Sequence, residues 1–188
     1  MMMSRTGLVG PGARTLYRHL PLTAALAALI TLAAKVQVPF WPVPMTMHTL
    51  AVMTIALLAG PRVAVGAMAA YLAAGAAGLP VFSGSPARGI GIAYMAGPTG
   101  GYLLGYLLAA GLVGWLALGG GTLRRVLAML AGLAVIYAVG AAWLSAFVPA
   151  DKVLAVGVLP FLLGDLLKIG VAALLAALWT RMRGKGRA

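Results

Sequence analysis

Along this chain, apolar residues are gathered into six long runs, and polar residues, glycines and prolines lie mostly between the runs. An α-helix needs about 20 mostly apolar residues to cross the hydrocarbon core of a bilayer. The pattern therefore predicts an all-α integral membrane protein with six transmembrane helices. The predicted helices cover approximately residues 21–34, 45–59, 63–78, 100–118, 127–148 and 160–179.

The segment between the first two runs is rich in proline and is not expected to form a regular helix. Pro39, Pro42 and Pro44 remove three backbone donors within six residues. We expect a short re-entrant or capping stretch, with Trp41 at the membrane interface. The second run is too short to span a bilayer unaided. The spanning segment therefore has to include residues of the Pro-rich stretch, or the run has to lie where the membrane is thin.

Two further connections are expected to lack helix. Residues 79–97, which join the third and fourth runs, are rich in Gly, Ser and Pro and include Arg88. Long connections that persist in a compact fold are usually functional, so we expect a lid or a pocket wall. Residues 119–125, with Arg124 and Arg125, are expected to form a polar hinge.

Composition agrees with a membrane protein and excludes several other classes. The chain is 63% hydrophobic and 9% charged, and its mean hydropathy is +1.04, far from the values of soluble domains. The net charge of +12 does not indicate nucleic acid, because the basic residues lie where lipid headgroups meet water. The absence of cysteine excludes disulfides, thiolate metal sites and cysteine nucleophiles.

The distribution of basic residues predicts the orientation and the domain limits. Six spans place both termini on one side of the membrane, and ten Lys or Arg fall on that side against three on the other. Cytoplasmic loops carry the excess of positive charge, so both termini are predicted to be cytoplasmic. We divide the chain into a basic cytoplasmic leader (1–20), a six-helix transmembrane domain (21–180) and a basic cytoplasmic tail (181–188). The ten residues are Arg5, Arg14, Arg18, Arg62, Arg124, Arg125, Arg181, Arg183, Lys185 and Arg187, and the three are Lys35, Arg88 and Lys152.

The basic leader and the first apolar run also have the pattern of a secretory signal peptide. We favour a retained first helix, because no soluble mature domain follows the run.

Asp165 and Lys168 are the residues on which the functional interpretation depends. Asp165 is one of only two acidic residues in the chain, and both charges fall inside the sixth apolar run. Ionisable groups at hydrocarbon depth are costly and usually functional. Their spacing of three residues places them on one helix face, and a helix beginning at Pro160 would put Asp165 close to its positive N-terminal end.

The orientation brings the Pro-rich segment, the 79–97 connection and the start of the sixth helix to one exterior mouth. A mostly apolar pocket with a few polar groups there would suit a small, partly hydrophobic molecule that is uncharged or anionic. The candidate polar residues are Asp165, Lys168, Arg88, Ser83, Tyr94, Tyr102, Gln37 and His48, and the candidate walls are Phe40, Trp41, Phe82 and Phe161.

Four segments of the chain, in the same order, resemble the BioY family. They are VPMT at 43–46, GLPVFSG at 78–84, GPTGGYL at 97–103 and PFLLGDLLK at 160–168. The resemblance extends over about residues 23–179. It implies a biotin-specific S component of an energy-coupling factor (ECF) transporter, with six membrane helices and biotin bound near the exterior surface under the 79–97 connection.

The resemblance also implies roles for individual residues. Asp165 would accept hydrogen bonds from the ureido N–H groups of biotin, and Lys168 would pair with Asp165 or donate to the ureido oxygen. Such charge-assisted hydrogen bonds are strong. Arg88 would bind the valerate carboxylate. The family commonly has Gln where this chain has His48, which puts a direct contact there in doubt. We include Ser83, Phe82 and Tyr94 among the expected substrate-binding residues.

The resemblance implies partners as well. S components have no ATPase, and this chain has no phosphate-binding GxxxxGK[ST] loop, so no cofactor is expected here and ATP would be used by partner subunits. These are a transmembrane T component and a pair of ABC-type ATPases in the cell membrane of a prokaryote. Ala24 and Ala28 form a small-xxx-small pattern that would allow close approach of a partner helix, although such patterns arise easily by chance in an Ala-rich chain.

Several alternatives stay open at this stage. Without the resemblance, Asp165 and Lys168 are equally well interpreted as a structural ion pair. A lone loop arginine such as Arg88 is more often a headgroup anchor, and His48 is better interpreted as a packing residue than as a metal ligand. A self-sufficient secondary transporter would use Asp165 as its ion site, but no inverted repeat is recognisable. An intramembrane hydrolase would need a base beside Ser83 or Ser85, and neither histidine is placed as one by the sequence.

Overall fold

The computed structural model describes residues 11–38 and 41–185, with side chains between residues 20 and 182. Most of it is helical, and one short antiparallel hairpin joins the first two helices. The helices are α1 Pro11–Lys35, α2 His48–Ala59, α3 Pro61–Ala76, α4 Gly91–Met95, α5 Gly100–Leu116, α6 Thr122–Leu144, α7 Val153–Gly157 and α8 Leu159–Lys185, with a 3₁₀ turn at Ala150–Lys152 and strands β1 Gln37–Val38 and β2 Met45–Thr46.

Six of these helices, α1, α2, α3, α5, α6 and α8, correspond to the six predicted apolar runs, which confirms the all-α fold. Within the described residues, α6 and the 150–182 region are long and apolar enough to cross a membrane, whereas α2, α5 and residues 20–35 of α1 are apolar but shorter. At about 1.5 Å per residue, α2 is only about 18 Å long. The Pro-rich stretch that precedes it forms no regular helix over its described residues and includes the hairpin of β1 and β2.

The helices pack into one bundle around a shared apolar core. The most extensive contact is between α5 and α6, and α3 lies between α1 and α5, while α2 packs against α5 and α8. Large side chains such as Tyr71, Met53, Met68 and Met129 are fully buried in the centre. Glycines allow the closest contacts: a Cβ at Gly105 of α5 would lie 2.9 Å from Cα of Ile136 on α6.

Several predicted boundaries are wrong. The 79–97 connection contains the short helix α4, and residues 149–159 contain the 3₁₀ turn and α7. Arg124 and Arg125 do not form a hinge, because α6 already begins at Thr122. Their side chains stabilise neighbouring helix ends: Arg124 Nε donates to the Leu116 carbonyl at 2.7 Å, and Arg125 donates to Thr180 Oγ1 at 3.0 Å.

The first and last helices are longer than the apolar runs from which they were predicted. Helix α1 begins at Pro11, inside the predicted leader, and α8 continues to Lys185, inside the predicted tail. Helix α8 begins at Leu159, so Asp165 lies beyond its first turn, where the helix dipole has little effect. The division into leader, transmembrane domain and tail, and the cytoplasmic position of the termini, stay predictions.

Candidate functional site

A cavity lies between α2, α5, α6 and α8, beneath the hairpin and the connection between α3 and α5, and together with the open space at its mouth it occupies about 550 Å³. Its lining is largely aromatic, with four tyrosines and Phe161, and the charged residues among it are Asp165 and Lys168. The chemistry of this lining therefore suits a compact molecule with an apolar surface and a few hydrogen-bonding groups.

The ion pair lies on the face of α8 that borders this cavity. Lys168 Nζ is 2.9 Å from Asp165 Oδ1, and the two side chains are 18% and 6% exposed. The carbonyl of Thr46, on β2, accepts a second hydrogen bond from Lys168 Nζ at 2.7 Å. The hydroxyl of Tyr137, on α6, donates to Asp165 Oδ2 at 2.8 Å. Three elements thus hold the two charged groups in place, so the carboxylate is oriented before any ligand arrives.

His48 begins α2 and borders the cavity beside β2. Its ring is buried; Nδ1 lies 3.0 Å from Thr46 Oγ1 and Nε2 lies 3.0 Å from the Tyr71 hydroxyl. The ring also stacks on Tyr106, with centroids 5.3 Å apart. Both ring nitrogens therefore have hydroxyl partners, which explains why a polar ring is tolerated here. The arrangement supports a packing role more strongly than a direct ligand contact.

The connection between α3 and α5 supplies one wall of the cavity through Ser83 and Tyr94. The Tyr94 hydroxyl donates to the Ser83 carbonyl at 2.8 Å, and Ser83 Oγ donates to the side-chain oxygen of Gln37 on β1. Burial raises the pKa of the Tyr94 phenol above its ordinary value, so Tyr94 stays a neutral donor. Phe82 is fully buried behind this wall and stacks on Tyr94 at 4.7 Å. Phe82 supports the wall and does not line the cavity.

Arg88 borders a second, more open pocket of about 620 Å³, which we call the vestibule. Its guanidinium donates to the Pro42 carbonyl at 2.7 Å. The vestibule shares Tyr94 and Thr99 with the cavity, and Trp41 forms part of its rim. Because Pro42 is a neutral acceptor, the positive charge of Arg88 is available to an anionic group in the vestibule. Arg88 does not line the cavity that contains Asp165 and Lys168, so the three residues do not form one cluster.

The sequence interpretation missed several residues of the cavity. Tyr137, Tyr106, Thr46 and Thr99 all contribute to its lining. One feature of the sequence could have predicted the role of Tyr137. A buried tyrosine hydroxyl normally needs a hydrogen-bond partner, and the apolar runs offer few side-chain acceptors besides Asp165. Of the expected walls, Phe161 lines the cavity, whereas Phe40 lies outside the described residues.

The predicted docking pattern lies on α1. Ala24 and Ala28 are both exposed on the surface of the bundle, where another helix could approach them. This placement leaves their predicted partner role open.

Comparisons with known proteins agree with one another. The BioY family model matches residues 4–185. A probable biotin transporter BioY of Pyrococcus horikoshii is 37% identical over 159 residues, which cover 85% of this chain and 94% of that protein. The biotin transporter BioY of Thermotoga maritima is 38% identical, with the same shares covered.

One solved structure has the same fold. The crystal structure of an S-component for biotin from an ECF-type ABC transporter superposes with a TM-score of 0.76. The match covers 96% of this chain and 95% of that one, at 23% sequence identity. From the family model and the relatives together, this chain belongs to the BioY family.

Proposed function

We propose that this chain is the biotin-binding S component of an ECF transporter, a membrane subunit that captures biotin outside the cell and delivers it inward. The observation that carries the proposal is the Asp165–Lys168 pair, held by three elements on the wall of a cavity rich in aromatic side chains. The relatives named biotin transporter support the choice of substrate. Like the rest of its family, the chain is a transport subunit, and we assign it no enzymatic reaction.

The chemistry of biotin fits the cavity. Its ureido group carries N–H donors and a carbonyl acceptor, which suit the Asp165 carboxylate and the Lys168 ammonium respectively. The bicyclic ring would lie against aromatic side chains such as Tyr106 and Phe161, where apolar surface is removed from water. The valerate chain would extend past Tyr94 and Thr99 into the vestibule, and its carboxylate would meet Arg88.

Transport requires further subunits in this proposal. The chain would lie in the cell membrane of a prokaryote, in contact with lipid, and would associate with a T component and a pair of ABC-type ATPases, which would use ATP. The exposed Ala24 and Ala28 on α1 support this helix as the docking face, because small residues let helices approach closely.

A secondary transporter that uses Asp165 as an ion site is the competing hypothesis. Among the residues that the structure describes, the cavity lining contains no charged residue besides Asp165 and Lys168, and these two are paired with each other. Both observations favour the S component, because an ion-coupling carboxylate has to exchange its cation during each cycle. Biotin uptake into proteoliposomes separates the two. The S-component proposal predicts uptake that needs ATP and the partner subunits, whereas uptake by this chain alone, abolished by dissipating the proton gradient, would favour the alternative.

Ligand selectivity tests the substrate itself. The detergent-purified chain is titrated with biotin, thiamine and riboflavin under the same conditions. We expect tight binding of biotin alone, because the flat rings of the other two vitamins do not present a ureido group to Asp165. Equal binding of all three, or no binding of biotin by folded protein, would contradict the proposal.

A further inference from the structure

Lys35, the last residue of α1, is attached to the connection that walls the cavity. Its ammonium donates to the carbonyl of Phe82 at 2.9 Å, to the carbonyl of Ser85 at 2.9 Å and to Ser85 Oγ at 3.0 Å. An ammonium group has three donors, so all three are used within one short segment. We call residues 82–85 the strap.

The strap is bound on its other side by groups of the cavity wall. Its Ser83 carbonyl accepts the hydrogen bond of Tyr94, and its Ser83 side chain donates to Gln37, two residues beyond Lys35. Ser83 and Tyr94 both line the cavity, whereas Lys35 does not. The position of this wall relative to α1 is therefore set by Lys35 and Gln37 together.

The contacts made by Lys35 differ from those expected of a lipid-headgroup anchor. An anchoring lysine directs its ammonium into the headgroup region. The ammonium of Lys35 instead binds the protein itself, at Phe82 and Ser85, which are 47 and 50 residues further along the chain. Its acceptors are neutral backbone and hydroxyl groups, so the charge contributes directional hydrogen bonds to the strap without forming an ion pair. Hydrogen bonds to a charged donor are the stronger kind.

We propose that Lys35 is a positioning residue for the ligand: it fixes the strap so that Ser83 and Tyr94 close the cavity wall, and it thereby slows ligand release. This proposal rests on the proposed function, since the ligand is taken to be biotin. Removing the ammonium should leave Asp165 and Lys168 in place while allowing the wall to move.

The test is the dissociation rate of biotin from the detergent-purified chain, compared among wild type, Lys35→Met and Lys35→Arg. We expect Lys35→Met to release biotin about tenfold faster, equivalent to the loss of one good hydrogen bond, and Lys35→Arg to restore most of the slow release. Lys152→Met is the matched control, because Lys152 is an exposed lysine predicted on the same side of the membrane, and its release rate should be unchanged. Should Lys35→Met fail to fold, Ser85→Ala removes one of the three acceptors, together with the hydrogen bond that Ser85 Oγ donates to the Phe82 carbonyl, and should still speed release.

A double-mutant cycle distinguishes positioning from a general loss of stability. If Lys35 acts through the strap, the effects of Lys35→Met and Ser83→Ala on release should not be additive, because each variant removes one of the restraints that hold the same segment. The effects of Lys35→Met and Tyr106→Phe should be additive, because the Tyr106 hydroxyl, on α5, is hydrogen-bonded to Thr49 and not to the strap. Unchanged release in Lys35→Met and Ser85→Ala, or additivity with Ser83→Ala, would overturn the proposal. If wild type itself binds no biotin, the proposed function fails first, and this inference fails with it.

Discussion

The hydroxyl of Tyr137 on α6 donates to Oδ2 of Asp165 on α8 at 2.8 Å, while Lys168 occupies Oδ1 at 2.9 Å. The two donors come from different helices, so the carboxylate is held at both oxygens and cannot rotate freely. A binding group fixed in this way loses less conformational entropy when a ligand arrives. Tyr137 therefore belongs to the machinery of the site although it lies in the middle of an apolar run.

Replacing Tyr137 with Phe should weaken biotin binding by about tenfold, which corresponds to one hydrogen bond to a charged acceptor. The phenyl ring keeps the packing and removes only the donor, so folding should be preserved. Isothermal titration of the purified variant measures the effect. Tyr102→Phe is the comparison: its hydroxyl donates to the Gly157 carbonyl at 2.8 Å, so its loss should lower stability more than affinity. Unchanged affinity in Tyr137→Phe would remove Tyr137 from the site.

Lys168→Ala should abolish tight binding, with a loss of at least about 100-fold. Truncating one partner of a partly buried ion pair leaves the other partner's charge uncompensated and costs several kcal/mol, and the Thr46 carbonyl also loses its donor. Lys152→Ala, at an exposed lysine outside the cavity, should bind as wild type does. Comparable losses in both variants would point to a nonspecific effect of charge.

Arg88→Ala should weaken the binding of biotin more than that of a biotin amide. The guanidinium borders the vestibule, where the valerate carboxylate is expected. A biotin amide has no carboxylate, so it makes no ion pair with Arg88 that the substitution could remove. Competition of each ligand against labelled biotin gives its affinity for wild type and for Arg88→Ala, and the ratio of the two affinities is the loss for that ligand. Equal losses for the acid and the amide would show that Arg88 acts by holding Pro42 and not by binding the ligand.

Gly114→Ala should destabilise the bundle by about 1–3 kcal/mol, the usual range for overpacking. A Cβ at Gly114 of α5 would lie 2.6 Å from Cα of Pro61, at the start of α3, and backbone cannot move aside as a flexible side chain can. Thermal unfolding in detergent measures the loss. Gly164→Ala is the matched control, because its Cβ would meet nothing within 4 Å. Equal midpoint temperatures of unfolding for the two variants would contradict the close packing of α5 on α3.

The sequence was sufficient to predict the six long helices, because apolar runs between polar breaks are what a bilayer requires of a spanning chain. It also identified Asp165 and Lys168, since charges inside such a run stand out. It did not predict α4, because five helical residues, Gly91–Met95, carry too little periodicity to be recognised among glycines and prolines.

The rest of the site depends on packing between distant parts of the chain. Tyr137 and Asp165 are 28 residues apart, and Lys168 and Thr46 are 122 residues apart. Nothing in the local sequence reports which tyrosine of an apolar helix faces a carboxylate. For the same reason Phe82 was expected in the pocket, whereas its ring lies one layer behind, on Tyr94.

The most direct test of the whole account is the affinity of the purified chain for biotin in wild type, Asp165→Asn and Asp151→Asn. These two variants remove the only acidic side chains of the chain one at a time, and Asp151 is exposed outside the cavity. We predict tight binding by wild type and Asp151→Asn, and a loss of at least about 100-fold in a folded Asp165→Asn, because a buried charged partner is lost. Tight biotin binding by Asp165→Asn would contradict the account, and the Asp165–Lys168 pair would then be a helix-packing feature.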